Sequence, residues 1–226
     1  MSEVTDDGIY YAHAGRHSFL RRISMQAREA NYRLFQSTMR PDAETSILDV
    51  GVSEEITVES NMLEQKHPHR GRIVCASLGD GKGIAAAYPG IRHQQIEAGK
   101  GLPFQDGEFA IGYSNAVLEH VGSAANQRAF IHELCRVSRR VFLVVPNRLF
   151  PVEHHTALPL VHWLPMRVFR GLMARTRWSH WSREENLNHV TAAALRGMFP
   201  AGRKAETTYS GLGIGPFRSN LVAFEK

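Results

Sequence analysis

Asp49 and Gly51 close a short β-branched and apolar run, SILDVGV from Ser46 to Val52. A carboxylate at the end of a buried strand faces the crevice, and a glycine lets a ligand approach the backbone, so the pair could bind a small molecule. An ordinary tight turn would use the same two residues. Histidines offer a second chemistry. His120 follows Glu119 in SNAVLEHV, and His154 and His155 lie in VEHHT. An imidazole titrates near pH 6.5 when unperturbed, so each is suited to take a proton from a hydroxyl at working pH. The plain alternatives are a hydrogen-bonding role for His120 on a helix side and a surface loop for the pair. Adjacent histidines on a loop, with Glu153 as the one carboxylate beside them, lack a well-spaced third ligand, so no metal is expected.

The elements that must position these residues are legible as periodicities. From His17 to Met39, Phe19, Leu20, Ile23, Ala27, Ala30, Leu34 and Phe35 recur at three- and four-residue intervals, which predicts an amphipathic helix that Pro41 ends. Strands are predicted at Ser46 to Val52, Arg72 to Ser77, Ile91 to Ile96, Glu108 to Ser114 and Val141 to Val145, with helices at Ser60 to Lys66 and Ala124 to Arg139. Alternation of strand and helix implies right-handed crossovers and an open parallel sheet covered on both faces, with a ligand at its carboxyl edge. The rhythm then fails between Arg148 and Val190, which holds Pro151, Pro159, Pro165 and all three tryptophans and reads as an inserted cap. A helix from Thr191 to Met198, with Thr191 as N-cap, and strands Ala205 to Tyr209 and Asn220 to Glu225 complete the chain as a terminal hairpin. The glycine-rich GLGIGP between those strands is read as their loop.

One domain is the default for 226 residues, and 43% hydrophobic against 22% charged residues excludes bulk disorder. No apolar stretch approaches the ~20 residues of a membrane span. The opening MSEVTDDGIYYAHAG lacks an apolar core, so neither a signal nor a transit peptide is expected and a cytoplasmic location follows. Cys75 and Cys135 sit in apolar segments, outside any C-x-x-C pair. The net charge of +5 is spread along the chain and speaks weakly for an anionic partner. In the cap, LPLVHWLPMRVFRGLM from Leu158 to Met173 is too short and too often interrupted to span a bilayer, but could cover an apolar or phosphorylated substrate.

A longer pattern narrows the function. LPFQDGEFAIGYSNAVLEH, from Leu102 to His120, resembles the class I S-adenosylmethionine-dependent methyltransferases, in particular their small-molecule, type 11-like branch, and departs from it mainly at Ala110, where that family usually has an acid. The resemblance spans residues 46 to 147. It implies a doubly wound, mostly parallel seven-stranded α/β sheet with an antiparallel last strand. The chain is then one methyltransferase domain: an N-terminal helical segment (1 to 45), a cofactor-binding core (46 to 147), a helical cap (148 to 190), and a C-terminal helix and hairpin (191 to 226).

By the same resemblance, Asp49, Gly51 and Val52 lie against the methionine part of S-adenosylmethionine. Two further glycines are usual after them, yet VSEE stands at Val52 to Glu55, so this loop must take another path or bind more weakly. The family's ribose acid would fall at Ser77; Asp80 is the nearest carboxylate, and its two oxygens would suit a vicinal diol. Glu97 and Ala98 fall near the adenine contacts, and Ser114 and Asn115 below the methionine chain. Similarity to methyltransferases of bacterial surface-polysaccharide and natural-product pathways implies O-methylation of a small-molecule or glycan-like acceptor, with His120, His154 or His155 as base. No nucleic acid partner is expected, and there is room for a homodimer. Two other readings are a non-catalytic scaffold or sensor, motivated by the missing glycines, and an RNA methyltransferase, motivated by the basic charge.

Overall fold

A computed structural model describes residues 18–57 and 59–226. The opening residues read above as no targeting segment, and the predicted helix start at His17, lie outside them. Helix α1 (Ser18–Met39) leads into β1 (Ile47–Val50), α2 (Met62–Lys66), β2 (Ile73–Ser77), α3 (Lys82–Ala87), β3 (Arg92–Gln95) and β4 (Phe109–Asn115). Then come α4 (Ala124–Val137), β5 (Ser138–Pro146), α5 (Met166–Met173), α6 (Ala192–Gly197), β6 (Glu206–Ser210) and β7 (Asn220–Phe224).

The seven strands form one sheet in the order β3-β2-β1-β4-β5-β7-β6. All pairs from β3 to β5 are parallel, and β7 runs antiparallel to both β5 and β6. Every residue of β1 and β2 is buried, as befits central parallel strands covered on both faces. Edge strand β3 reads RHQQ, polar along its length, while Ile91 and Ile96 at its two ends turn onto the core.

Alternate residues feed two cores. Leu48, Val50, Val74, Ala76, Leu143 and Val145 face α4 and α6, while Ile47, Ile73, Cys75, Phe142 and Val144 face Phe35 of α1. That alternation puts Asp49 on the α1 face, at the carboxyl end of β1. The caps agree with the sequence: Thr191 Oγ1 accepts from Ala194 N at 3.3 Å, and Ser123 Oγ does the same for Asn126 N.

Two boundaries differ from the sequence reading. Helix α4 ends at Val137 rather than Arg139, because Ser138 already pairs with Phe109 and starts β5. The short helix after β1 starts at Met62 rather than Ser60, leaving the five residues of α2. The intervening loop closes on itself: Asn61, at φ +51°, bonds both backbone groups of Ser53, and the hydroxyls of Thr57 and Ser60 bond each other's backbone N–H. Such Ser/Thr/Asn contacts compete with a helical path.

The segment 148–190 contributes no strand to the sheet and packs its own small core, in which Phe169 and Met173 of α5 meet Trp181 and Leu187. Among the described residues no helix is long and apolar enough to cross a membrane.

Candidate active site

A cavity of about 580 Å³ opens at the carboxyl edge of β1, β4 and β5, between α1, the β1–α2 loop and the cap. Asp49, Gly51, Val52 and Asn115 line it from the sheet, and His120, His154 and His155 from the opposite side. Ser114 is fully buried instead, with Oγ donating to Val50 O at 2.8 Å, so it ties β4 to β1 beneath the cavity.

At the floor, Asp49 meets Glu64 of α2 with both carboxyls buried. Burial, then repulsion by Glu64, holds the Asp49 carboxyl far above its ordinary range; burial raises Glu64 as well, less strongly because Asp49 donates a hydrogen bond to it. Two carboxyls thus share a proton, as like charges in a dry site must. The Cys75 thiol donates to Glu64 Oε1 at 3.3 Å. Gly51 has φ +93°, and a Cβ there would stand 2.2 Å from Val117 Cγ2, so the chain turns out of β1 only without a side chain.

On the cap side two histidines meet. His120 Nε2 and His155 Nε2 lie 3.3 Å apart. The other nitrogen of each ring is committed: His155 Nδ1 lies 2.8 Å from Glu153 Oε1, and His120 Nδ1 lies 2.6 Å from Asn186 O. Because a carboxylate and a carbonyl only accept, each Nδ1 carries the proton. Glu119 adds a buried carboxylate, Oε1 being 3.8 Å from His120 Nε2, with no hydrogen-bond donor on either oxygen among the described residues; burial raises it. Trp181 packs its ring 4.6 Å from that of His155 and 5.9 Å from that of His120.

Glu153 is completely buried, and its Oε2 accepts from Thr156 N at 2.6 Å and His155 N at 3.0 Å. Burial alone would raise its carboxyl, but the attraction and hydrogen bond of His155, with His189 and Thr156 behind, outweigh it and hold the group ionised. His154, next in sequence, turns toward Phe150, and burial pushes its ring down to about 4, so it is neutral. His189 lies 3.6 Å from Glu153 and is pushed down to about 3 by the same cause.

The residues read as adenosine contacts lie elsewhere. Asp80 sits on the exposed turn before α3, paired with Lys82 Nζ at 2.5 Å and bonded to Lys82 N, and does not line the cavity. Glu97 pairs with Lys100 in the exposed turn after β3, beside Ala98, and neither lines the cavity. The carboxylate at the end of β2 comes instead from Glu54, in the stretch where glycines were missing: Ser77 Oγ donates to its Oε1 at 2.6 Å, and His93 Nε2 is 3.6 Å away. Its side chain rests against the bare backbone of Gly79.

Sequence reasoning passed over Glu64, Asn186, His189 and the reach of Glu54. Only the run of acids in VSEE signalled the last, as a carboxylate in a loop that must leave β1 by an unusual path.

Solved structures share this architecture. An S-adenosylmethionine-dependent methyltransferase from Mesorhizobium loti is 15% identical and matches 87% of this chain and 98% of its own at a TM-score of 0.55. One from Aquifex aeolicus gives 10%, 90%, 91% and 0.52, and one from Thermotoga maritima 10%, 96%, 97% and 0.54, in the same order. The chain has the class I methyltransferase fold. No family model matches its sequence, and no curated protein does. At such identities the likeness is one of fold, and function has to be argued from the cavity.

Proposed function

We propose that the chain transfers a methyl group from S-adenosylmethionine to an oxygen of a small or glycan-like acceptor. The observation that carries this reading is one cavity shared by Gly51 and Val52 at the end of β1 and by His120 and His155 under the cap. A cofactor half and an acceptor half thereby face each other across the carboxyl edge of the sheet.

The residues that line the cavity fit the methionine end of the cofactor. Asn31 of α1 lines the cavity with its Oδ1 buried and without a hydrogen-bond partner among the described residues, an acceptor for the ammonium of the methionine part. Asp49, Gly51, Val52 and Asn115 flank the same part, with Ser114 fixing the strands below them. For the ribose diol the carboxylate at the end of β2 is Glu54 rather than Asp80; it lies just outside the residues that line the cavity, as do Glu97 and Ala98.

Bound S-adenosylmethionine supplies an already activated sulfonium methyl. The chain's own residues must then hold an acceptor oxygen in line, exclude water and loosen its proton. Trp181 and the cap close the acceptor side. Glu119, His120 and His155 surround the hydroxyl, and the Nε2 lone pairs left by the committed Nδ1 protons are the groups that activate it. His154, neutral and turned toward Phe150, borders the acceptor.

Calorimetry with S-adenosylhomocysteine, combined with methyl transfer to hydroxyl acceptors, tests the reading. The product should bind in the micromolar range, and His155→Ala should cut kcat by ~10²- to 10⁴-fold while leaving that affinity intact. Absence of binding at millimolar product would favour the non-catalytic scaffold or sensor instead.

A further inference from the structure

We propose that Glu119, His120 and His155 form a binding site for one divalent first-row transition-metal ion, of which zinc is the type, open on one side to the acceptor cavity. His120 Nε2 and His155 Nε2 approach to 3.3 Å although the proton on each ring is held at Nδ1. Both Nε2 atoms thus converge, with a carboxylate oxygen of Glu119, on one spot of the cavity wall. A proton shared by the two nitrogens would account for their approach, yet it leaves both oxygens of Glu119, a residue 1% exposed, without a donor among the described residues. A cation held by all three side chains satisfies every one of these atoms together.

Geometry favours the cation. One ligand atom from each of the three residues lies within 4.8 Å of the others. Around a tetrahedral zinc with bonds of about 2.0–2.1 Å, neighbouring ligand atoms stand about 3.3 Å apart. The observed separations are 3.3 Å between the nitrogens and 3.8 Å from Glu119 Oε1 to His120 Nε2.

The surroundings of the two rings are also those of metal ligands. An acceptor on Nδ1 fixes the tautomer and aims Nε2, and here Glu153 does this for His155 and the Asn186 carbonyl for His120. Glu153 is itself anchored by two backbone N–H groups, so His155 has little freedom to turn away. Two imidazoles and one carboxylate suit zinc, cobalt or iron far better than magnesium, which prefers oxygen alone. With the ion bound, the two Nε2 lone pairs are its ligands and no longer act as bases; an acceptor hydroxyl would instead bind at the remaining coordination position and release its proton to water. That last role rests on the methyl-transfer reading; the binding of the ion does not.

Titration of the metal-free full chain with Co²⁺, followed by its visible d–d absorption, tests the site. One ion per chain should bind with the intense bands of a four- or five-coordinate centre, and Zn²⁺ should displace it. His120→Ala, His155→Ala and Glu119→Gln should each weaken binding by ~100-fold or more, and Glu153→Gln, which only positions His155, by ~10- to 100-fold. The exposed His132→Ala should change nothing. X-ray absorption of the zinc-loaded wild-type protein, which needs no variant to fold, should count two imidazoles at about 2.0–2.1 Å. Fewer than two imidazoles, or wild-type affinity no better than that of the double variant His120→Ala/His155→Ala, would overturn the proposal. Zinc binding without S-adenosylhomocysteine binding would keep the metal site and remove the transfer reading.

Discussion

Glu54 crosses from the loop after β1 to take a 2.6 Å hydrogen bond from Ser77 at the end of β2. A strand that ends in serine thereby acquires a carboxylate from its neighbour's loop, lying against Gly79, where a Cβ would stand 2.6 Å from Glu54 Cγ. If this carboxylate holds the ribose diol, Glu54→Ala and Glu54→Gln should each raise the dissociation constant of S-adenosylhomocysteine at least ~10-fold, since one charge-assisted hydrogen bond contributes about 1.5–3 kcal/mol. Calorimetry reads this directly. Tighter or unchanged binding in the alanine variant would make Glu54 a plug over the crevice.

Gly51 carries two separate constraints, and they can be pulled apart. Gly51→Ala should destabilise the protein by about 2–4 kcal/mol, from the strain of φ +93° together with contact at 2.2 Å with Val117 Cγ2. Adding Val117→Ala removes the contact but not the strain, so the double variant should recover part of the loss. Urea midpoints at constant m-value measure both steps. Full recovery would mean the backbone conformation costs nothing.

The carboxyl pair at the cavity floor makes stability depend on pH. Both groups have folded-state pKa values above their ordinary ones, so the stability they contribute is fully present below about pH 4 and is lost as pH rises through the raised folded values. Glu64→Gln lifts part of that burden and leaves Asp49 a neutral partner. Its melting temperature should exceed that of the wild type by a few degrees at pH 8, and by less at pH 4.5, with a slope of about 2–4 °C per kcal/mol for a chain of this length. A difference independent of pH in calorimetric melts would show that the two carboxyls do not share a proton.

Trp181, 2% exposed, joins the cap's own core to the paired histidines. Trp181→Ala should cost the cap about 3–5 kcal/mol of local stability, visible as faster amide exchange across residues 158 to 190, while β4 and β5 keep their protection. Turnover should fall with it, because His155 loses the ring that packs against it. Equal loss of protection throughout the sheet would show that cap and sheet unfold as one unit.

The amino-acid sequence alone determined the succession of strands and helices, the buried centre of the sheet, the terminal hairpin and the cap at Thr191. Apolar periodicity and helix-capping chemistry act over a few residues, so they are written where they operate. It also offered His120, His154 and His155 as candidate bases, and Asp49 and Gly51 as candidate ligand contacts at the end of a strand. Tertiary structure decided which of these meet. Asp49 found Glu64, Ser77 found Glu54, and two histidines 35 positions apart came nose to nose with their outer nitrogens anchored on Glu153 and Asn186. Asp80, Glu97 and Ala98, placed by the family resemblance, lie on exposed turns outside the cavity. The reason is physical: side chains converge according to the paths of loops, and those paths follow from long-range packing and local hydroxyl and amide bonds, such as those of Asn61 and Ser60, that no periodic pattern encodes.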